Sequence, residues 1–254
     1  MNRTHIFLLL AALLFTGCAG ARNPADPLEP VNRSIYKFNN SIDKAIVKPV
    51  AQGYSKIMPP IGKMMVSNFF SNLDDVVVTT NDILQLKFLQ AASDGTRFLV
   101  NSTIGIYGLI DIASIGPLKK HNEDFGQTLG KWGVGSGAYL MLPILGPSSV
   151  RDGIGRYVDT FPSPTTQIQD MQTRNQIYIG EGINHRAELL NQEKVLDEAM
   201  LDPYEFIRDS YLQRRINQVY DGNPPRVRYD EEADSEPTPV ASSSPVAVQP
   251  ITTP

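Results

Sequence analysis

One cysteine, Cys18, one tryptophan and three histidines occur in 254 residues. A lone cysteine excludes an internal disulfide framework and a cysteine-based metal cluster, and favours an attachment role. His121 and His185 stand far apart in unlike surroundings, outside any H-E-x-x-H pattern, so no metal site is predicted. Signatures of common chemistry are also missing. Ser148 lies in Gly-Pro-Ser-Ser-Val and Ser136 follows Val134 by two places, neither of them a hydrolase elbow. The stretch from Gly126 to Gly130-Lys131-Trp132 has the wrong spacing and last residue for a phosphate loop, and no G-x-G-x-x-G surrounds Gly133–Gly137. These absences predict a non-enzymatic chain without cofactor or metal. Lysine and arginine number 23 against 27 acids, a net charge of −4, with no basic block. Nucleic acid is excluded as a partner, because such binding rests on phosphate neutralisation. Purely electrostatic docking on anionic lipid is excluded as well. Period-two alternation is scarce, which points away from β architecture.

What is present begins at the N-terminus. Arg3 precedes the apolar run Ile6–Phe15, and Thr16-Gly17 places small residues directly before Cys18. A basic start, a short apolar core and small residues at the cut make a secretory signal. The core is too short for a membrane-spanning helix, which needs about twenty residues. The pattern resembles a lipoprotein signal covering 1–17, with Cys18 carrying the acyl and diacylglyceryl groups. Ala19 follows, not the Asp that resembles inner-membrane retention. The expected address is the periplasmic face of a Gram-negative outer membrane. Loss of 1–17 removes one base and no acid, so the mature charge is 22 − 27 = −5. Residues 18–25 read as a tether and 26–222 as one folded domain. Residues 223–254 contain seven prolines, Ser242–Ser244 and Asp230-Glu231-Glu232. Such a tail buries too little apolar area to offset its ordering entropy, and it is predicted to be disordered.

The domain reads as mostly helical. Val31, Ile35, Phe38, Ile42 and Ile46 mark one helix face, with Pro49 limiting the helix. After Met58-Pro59-Pro60, Val66–Leu73 reads as a short helix. Asp74 and Asp75 suit the start of another. That helix, Val76–Gln90, is apolar on more than one side, which fits either a buried core or lipid contact. Ser93–Ile115 repeats the character. Glycines at 133, 135 and 137 precede Tyr139–Leu145, a run split by Pro143; this favours a hairpin or re-entrant turn over a helix. Later, Ile179, Ile183 and Leu190 form one stripe, and Leu189, Leu196 and Met200 another. Asp202-Pro203 opens a last helix bearing Leu212, Ile216, Val219 and Tyr220, closed by Asp221-Gly222.

An ordered series of motifs then carries a resemblance. It comprises Asp26-Pro27-Leu28-Glu29 with Asn32-Arg33, Tyr36-x-Phe38-Asn39, Val47-x-Pro49-Val50-Ala51 and Ser67-Asn68-Phe69-x-x-Asn72-Leu73. Thr96-Arg97-Phe98, Phe125-Gly126-x-Thr128-Leu129-Gly130 and Gly133-Val134-Gly135-x-Gly137-x-Tyr139 follow. Leu142-Pro143, Arg151-Asp152, Asp202-Pro203-Tyr204, Tyr211 and Gln213-Arg214 complete it. Behind a lipoprotein cysteine, the series resembles the MlaA (VacJ) family of outer-membrane phospholipid-transport lipoproteins. Pro30, where that family often has glycine, and the Pro/Ser tail depart from its pattern.

The resemblance implies a single ring-like helical domain with a glycine-rich hairpin, lying in the inner leaflet of the outer membrane. It implies phospholipid as cargo and a trimeric porin as neighbour. A soluble periplasmic carrier would receive lipid misplaced in the outer leaflet, so that lipid asymmetry is kept. On that basis Gly133, Gly135, Gly137, Tyr139, Leu140, Leu142 and Pro143 are candidate channel or hairpin residues. Phe38 and Asn39 fall in a motif governing channel state, and Cys18 takes the lipid. A structural lipoprotein that braces porins without moving lipid is the alternative.

Overall fold

The computed structural model describes residues 23–197 and 201–225. The expected signal, Cys18, Met200, the side chain of Leu196 and the tail from residue 226 onward lie outside the described residues. Helix α1 spans Glu29–Ile42 and passes through a π-turn, Asp43–Val47, into α2, Lys48–Ile57. Pro49 therefore does not stop the helix as expected. It sits in the first turn of α2, where a missing N–H is tolerated. The widened turn before it gives the pyrrolidine ring room against the preceding carbonyls.

Helix α3, Pro60–Leu84, runs unbroken through the two segments read as separate helices. No helix starts at Asp74-Asp75, because tertiary cations and not a helix dipole hold these acids. Lys120 Nζ lies 2.5 Å from Asp75 Oδ1 and 3.1 Å from Asp74 Oδ2, with Arg97 Nε 3.6 Å from Asp75 Oδ2. The helix ends at Leu84, short of Gln90. Helix α4, Phe88–Thr103, packs along α3, and an irregular stretch leads to a 3₁₀ turn at Ala113–Ile115.

Helix α5, Phe125–Lys131, was not anticipated within the glycine-rich middle. Asp124 caps it, accepting from the Gln127 amide at 2.8 Å. Strands β1, Tyr139–Leu142, and β2, Gly146–Ser149, pair antiparallel from Tyr139↔Ser149 to Leu142↔Gly146, giving the expected hairpin. Helix α6, Val150–Asp159, a 3₁₀ turn at Pro164–Gln167, and helices α7, Met171–Asp197, and α8, Pro203–Val219, complete the domain. Asp202 caps α8, accepting from the amides of Tyr204 and Glu205, as its position before Pro203 predicts. Gly222 (φ +82°) follows the helix end in the left-handed region.

The polarity of the domain is inverted. Among the described residues, twenty buried side chains are polar or charged and eleven are apolar. Of the expected stripe, Val31, Phe38 and Ile46 are more than half exposed, Ile42 is half-buried and Ile35 packs half-buried against the tyrosine cluster, while the fully buried α1 residue is Asn32. On α8 half of the expected stripe turns inward, Leu212 packing against the tyrosine cluster and Val219 buried. Tyr204, Arg208, Tyr211, Arg215 and Val219 face inward, and Ile216 and Tyr220 are exposed. Buried charges are tolerated only when paired and hydrogen-bonded, so the interior is built from networks. No helix among the described residues is long and apolar enough to cross a membrane.

Candidate lipid-handling site

Two asparagines on α1, seven residues and so two turns apart, grip the outer edge of the hairpin. Asn32 Nδ2 donates to Tyr139 O at 3.0 Å and to Asp26 Oδ1 at 2.8 Å, and its Oδ1 accepts from the Met141 amide at 2.9 Å. Asn39 repeats the arrangement at the tip, donating to Leu142 O at 2.9 Å and accepting from the Ile144 amide at 2.8 Å. Each primary amide thus replaces a neighbouring strand, satisfying one carbonyl and one N–H. The first motif block and the hairpin, over a hundred residues apart in sequence, meet here.

The residues singled out from sequence divide into anchors and tips. Tyr139 is fully buried against Tyr204 and Tyr211, with ring centroids 6.3 and 6.0 Å away. Leu140 and Leu142 are half-buried, whereas Pro143, Gly133, Gly135 and Gly137 are exposed, as is Phe38. Gly133 (φ +91°) and Gly137 (φ +67°) need glycine's left-handed freedom; Gly135 does not. Ile144 in the turn adopts φ +66°, a strained conformation for a β-branched residue.

A cavity of about 320 Å³ opens elsewhere, between α2, α3 and α7. Met58, Val66, Phe69, Phe70, Leu109 and Ile177 form its apolar wall, with the Tyr54 ring at one side and Gly180 leaving the wall thin on α7. None of the hairpin glycines lines it. Sequence reasoning missed this site because its lining comes from four separate segments; Ser67-Asn68-Phe69 was its only trace among the motifs. Beside it, the Tyr54 hydroxyl donates to Asn184 Oδ1 at 2.8 Å and Asn184 Nδ2 donates to Ser67 Oγ at 2.7 Å; Ser67 in turn donates to Glu188. The cavity is therefore apolar with a polar chain along its flank.

Two charge networks stiffen the frame. Arg215 on α8 bridges Asp124 (2.6 Å) and Asp152 (2.7 Å), and Tyr211 donates to Asp152 at 2.6 Å. Burial alone would raise the Asp152 carboxyl, but Arg215 and the Tyr211 hydroxyl outweigh it and hold it down to about 2. Between α3 and α4, Asp82 and Asp94 are both fully buried. Burial first, then the neighbouring Asp94 carboxylate and Glu123, push Asp82 well above the ordinary carboxylate range. His121, its side chain about one-third exposed, places Nδ1 2.9 Å from Asp94 Oδ2. No group of three or more potential ligands that could hold a metal ion occurs among the described residues.

Outside these networks the surface is rich in large apolar groups. Leu86, Phe88 and Leu89 crown the α3–α4 turn, Leu89 being 91% exposed. Trp132 lies against the same turn, its indole N–H donating to Leu84 O at 3.3 Å. Apolar exposure on this scale marks an interaction surface.

Comparison with known proteins agrees with this geometry. A family model described as "MlaA lipoprotein" matches residues 24–218. The "Intermembrane phospholipid transport system lipoprotein MlaA" of Escherichia coli K12 is 35% identical over 215 residues, covering 82% of this chain and 85% of that protein. Its namesake in Haemophilus influenzae is 32% identical over 231 residues, covering 87% and 92%. A solved structure described as "Structural basis for maintenance of bacterial outer membrane lipid asymmetry" superposes with a TM-score of 0.67 at 34% identity. That match covers 78% of this chain and 99% of the other. The chain belongs to the MlaA lipoprotein family.

Proposed function

We propose that this chain is the outer-membrane lipoprotein of an intermembrane phospholipid transport system, passing misplaced phospholipids from the outer leaflet to a periplasmic carrier without chemical change. The observation that carries the reading is the inverted polarity: charged networks inside, large apolar side chains outside. A body so built gains from immersion in hydrocarbon, at about 25 cal/mol per Å² of apolar surface removed from water. Anchored by a lipid at Cys18, it would lie in the inner leaflet as a ring-like collar beside a trimeric porin.

Extracting a phospholipid exposes acyl chains to water at about 0.8 kcal/mol per methylene. A conduit must therefore offer an apolar path with polar groups alongside. The α2–α3–α7 cavity and the Tyr54–Asn184–Ser67 chain supply both. In this reading the hairpin, tied at Asn32 and Asn39, is the element that opens or closes the passage. The exposed Gly133, Gly135 and Gly137 precede its open end, where they would serve as a hinge, and Phe38 lies on the helix that holds its tip.

The test is genetic. Deleting the gene is expected to place phospholipid in the outer leaflet and sensitise cells to detergent with chelator, and the wild-type chain restores the barrier. An unchanged outer leaflet in the deletion strain would refute the reading.

A further inference from the structure

Lys63 is a half-buried cation without an acid. Its Nζ donates to Ser55 Oγ at 2.9 Å. Lys48, Lys87, Lys120 and Lys131 each pair with a carboxylate; Lys63, among the described residues, pairs with none. Its position gives that vacancy meaning. Lys63, Val66 and Phe70 fall at i, i+3 and i+7 on α3, one stripe of the helix, and Val66 and Phe70 line the apolar cavity. Ser55 stands beside Tyr54 and one turn before Met58, both of which line the same cavity from α2. Neither Lys63 nor Ser55 lines the cavity; the pair stands one turn beyond Val66 and Met58, past the end nearest the start of α3. At the other end, the Leu109 carbonyl accepts from Asn68 at 3.2 Å and its side chain joins Phe69 and Phe70 in the wall. The cavity therefore has an apolar lining throughout, with a cationic, hydroxyl-bearing pair just beyond one end and the Phe69–Phe70–Leu109 wall at the other.

We propose that this cavity is a resting site for a single phospholipid, with Lys63 and Ser55 receiving the phosphate and the Phe69–Phe70–Leu109 end receiving acyl chain. The assignment rests on the conduit reading and adds to it the chemical group recognised and the residues that recognise it. A volume of about 320 Å³ lies at the small end of ligand pockets, so the site holds part of one chain, as a transit station requires. An ammonium bound to one neutral hydroxyl has donors left for an anionic oxygen. Its attraction to phosphate is strengthened by the low-dielectric wall behind it.

The test is native mass spectrometry of the full lipoprotein in detergent, loaded with phosphatidylglycerol or with diacylglycerol of the same chains. Lys63→Gln is expected to lower the phosphatidylglycerol adduct about tenfold, the equivalent of ~1.4 kcal/mol, and to leave diacylglycerol unaffected. Lys63→Arg retains the adduct, and Lys56→Gln, at an exposed lysine of α2, serves as control. Gly180→Leu adds bulk at a lining position with nothing within 4 Å of an added Cβ, and is expected to lower both adducts. Equal adducts in Lys63→Gln and Lys56→Gln would overturn the phosphate role. Intact adducts in Gly180→Leu would overturn the cavity. Displacement of the lipid by inorganic phosphate at constant ionic strength would assign the Lys63–Ser55 pair to free phosphate and overturn the lipid assignment. Complementation of the deletion strain reads transport separately. If asymmetry never depends on the chain while adducts follow the expected pattern, the site stands and the conduit falls. If asymmetry depends on the chain and adducts ignore both substitutions, the site falls and the conduit stands.

Discussion

Asn39 on α1 holds Ile144 at the hairpin tip, the Ile144 amide donating to Asn39 Oδ1 at 2.8 Å. The bond fixes a β-branched residue at φ +66°, a conformation that stores roughly 1–3 kcal/mol of strain. Ile144 is exposed, so water can replace the lost partner. Asn39→Ala is therefore expected to lower global stability by less than about 1 kcal/mol. It should, however, speed hydrogen exchange at the tip. Asn32→Ala removes the same kind of grip at a site only 2% exposed. It strands the Tyr139 carbonyl, the Met141 amide and Asp26, and is expected to cost about 1–3 kcal/mol. Chemical denaturation and exchange mass spectrometry of the two variants separate a latch from an anchor.

The glycines divide in a way their spacing does not announce. At Gly155 an added Cβ would strike the backbone of Gly126, where α5 and α6 meet face to face. At Gly126 it would lie 2.5 Å from Asp152 Oδ1 and 2.6 Å from Arg215 Nη2. Gly155→Ala is expected to destabilise by more than about 3 kcal/mol, since backbone cannot give way. Gly135→Ala meets nothing within 4 Å and needs no left-handed φ, so its effect should fall within about 0.5 kcal/mol. Gly133→Ala has space but pays about 1–2 kcal/mol for φ +91°. Thermal unfolding of the three variants ranks them.

Helix content, the hairpin around Pro143 and the Asp202 cap were legible because each rests on local chemistry: periodicity, a proline break, a side-chain acceptor. Inside and outside were not legible. Val31, Ile35, Phe38, Ile42 and Ile46 read as one face to be covered, yet Val31, Phe38 and Ile46 are exposed, Ile35 packs half-buried and Asn32 is the residue fully covered. A period locates a stripe but not the solvent it faces. Asp74 and Asp75 misled because a dipole argument sees only neighbours in sequence, whereas Lys120 and Arg97 arrive from elsewhere. The cavity stayed hidden for the same reason. The motif series did better than its parts: Asn32, Tyr139 and Tyr204 converge around Asp26, and Arg151-Asp152 meets Tyr211.

Arg215 is expected to be among the least replaceable side chains. It lies between two carboxylates, 2.6 Å from Asp124 and 2.7 Å from Asp152, and is only 8% exposed. Arg215→Leu leaves the buried Asp152 charge, and the half-exposed Asp124 beside it, with weaker partners and should cost about 3 kcal/mol. Arg215→Lys supplies one point charge where a planar fork spans two acids, so it recovers only part of the loss. Asp152→Asn in the Leu background should recover stability, because it removes one stranded charge. A double-mutant cycle by urea unfolding measures this coupling.

The acids between α3, α4 and α6 set the pH dependence. Asp159 is pushed up to about 6, burial outweighing its bonds from the Phe125 amide and Asn81, with Asp124 and Asp74 adding repulsion. Asp82 is raised further, by burial and then by Asp94 and Glu123, while Lys87 opposes and Gln90 donates to it at 2.8 Å. A carboxyl raised in the fold binds its proton more tightly folded than unfolded. Its contribution is fully present below the ordinary carboxylate value and is lost as pH climbs through the folded value. Thermal stability in detergent is thus expected to fall from about pH 5 to about pH 9, opposite to the behaviour of salt-bridged acids such as Asp152, whose contribution is lost only toward about pH 2. Asp82→Asn keeps the shape and cannot ionise. It should flatten the slope above about pH 6 and raise the melting temperature at alkaline pH. A slope unchanged in Asp82→Asn would remove this buried acid as its source.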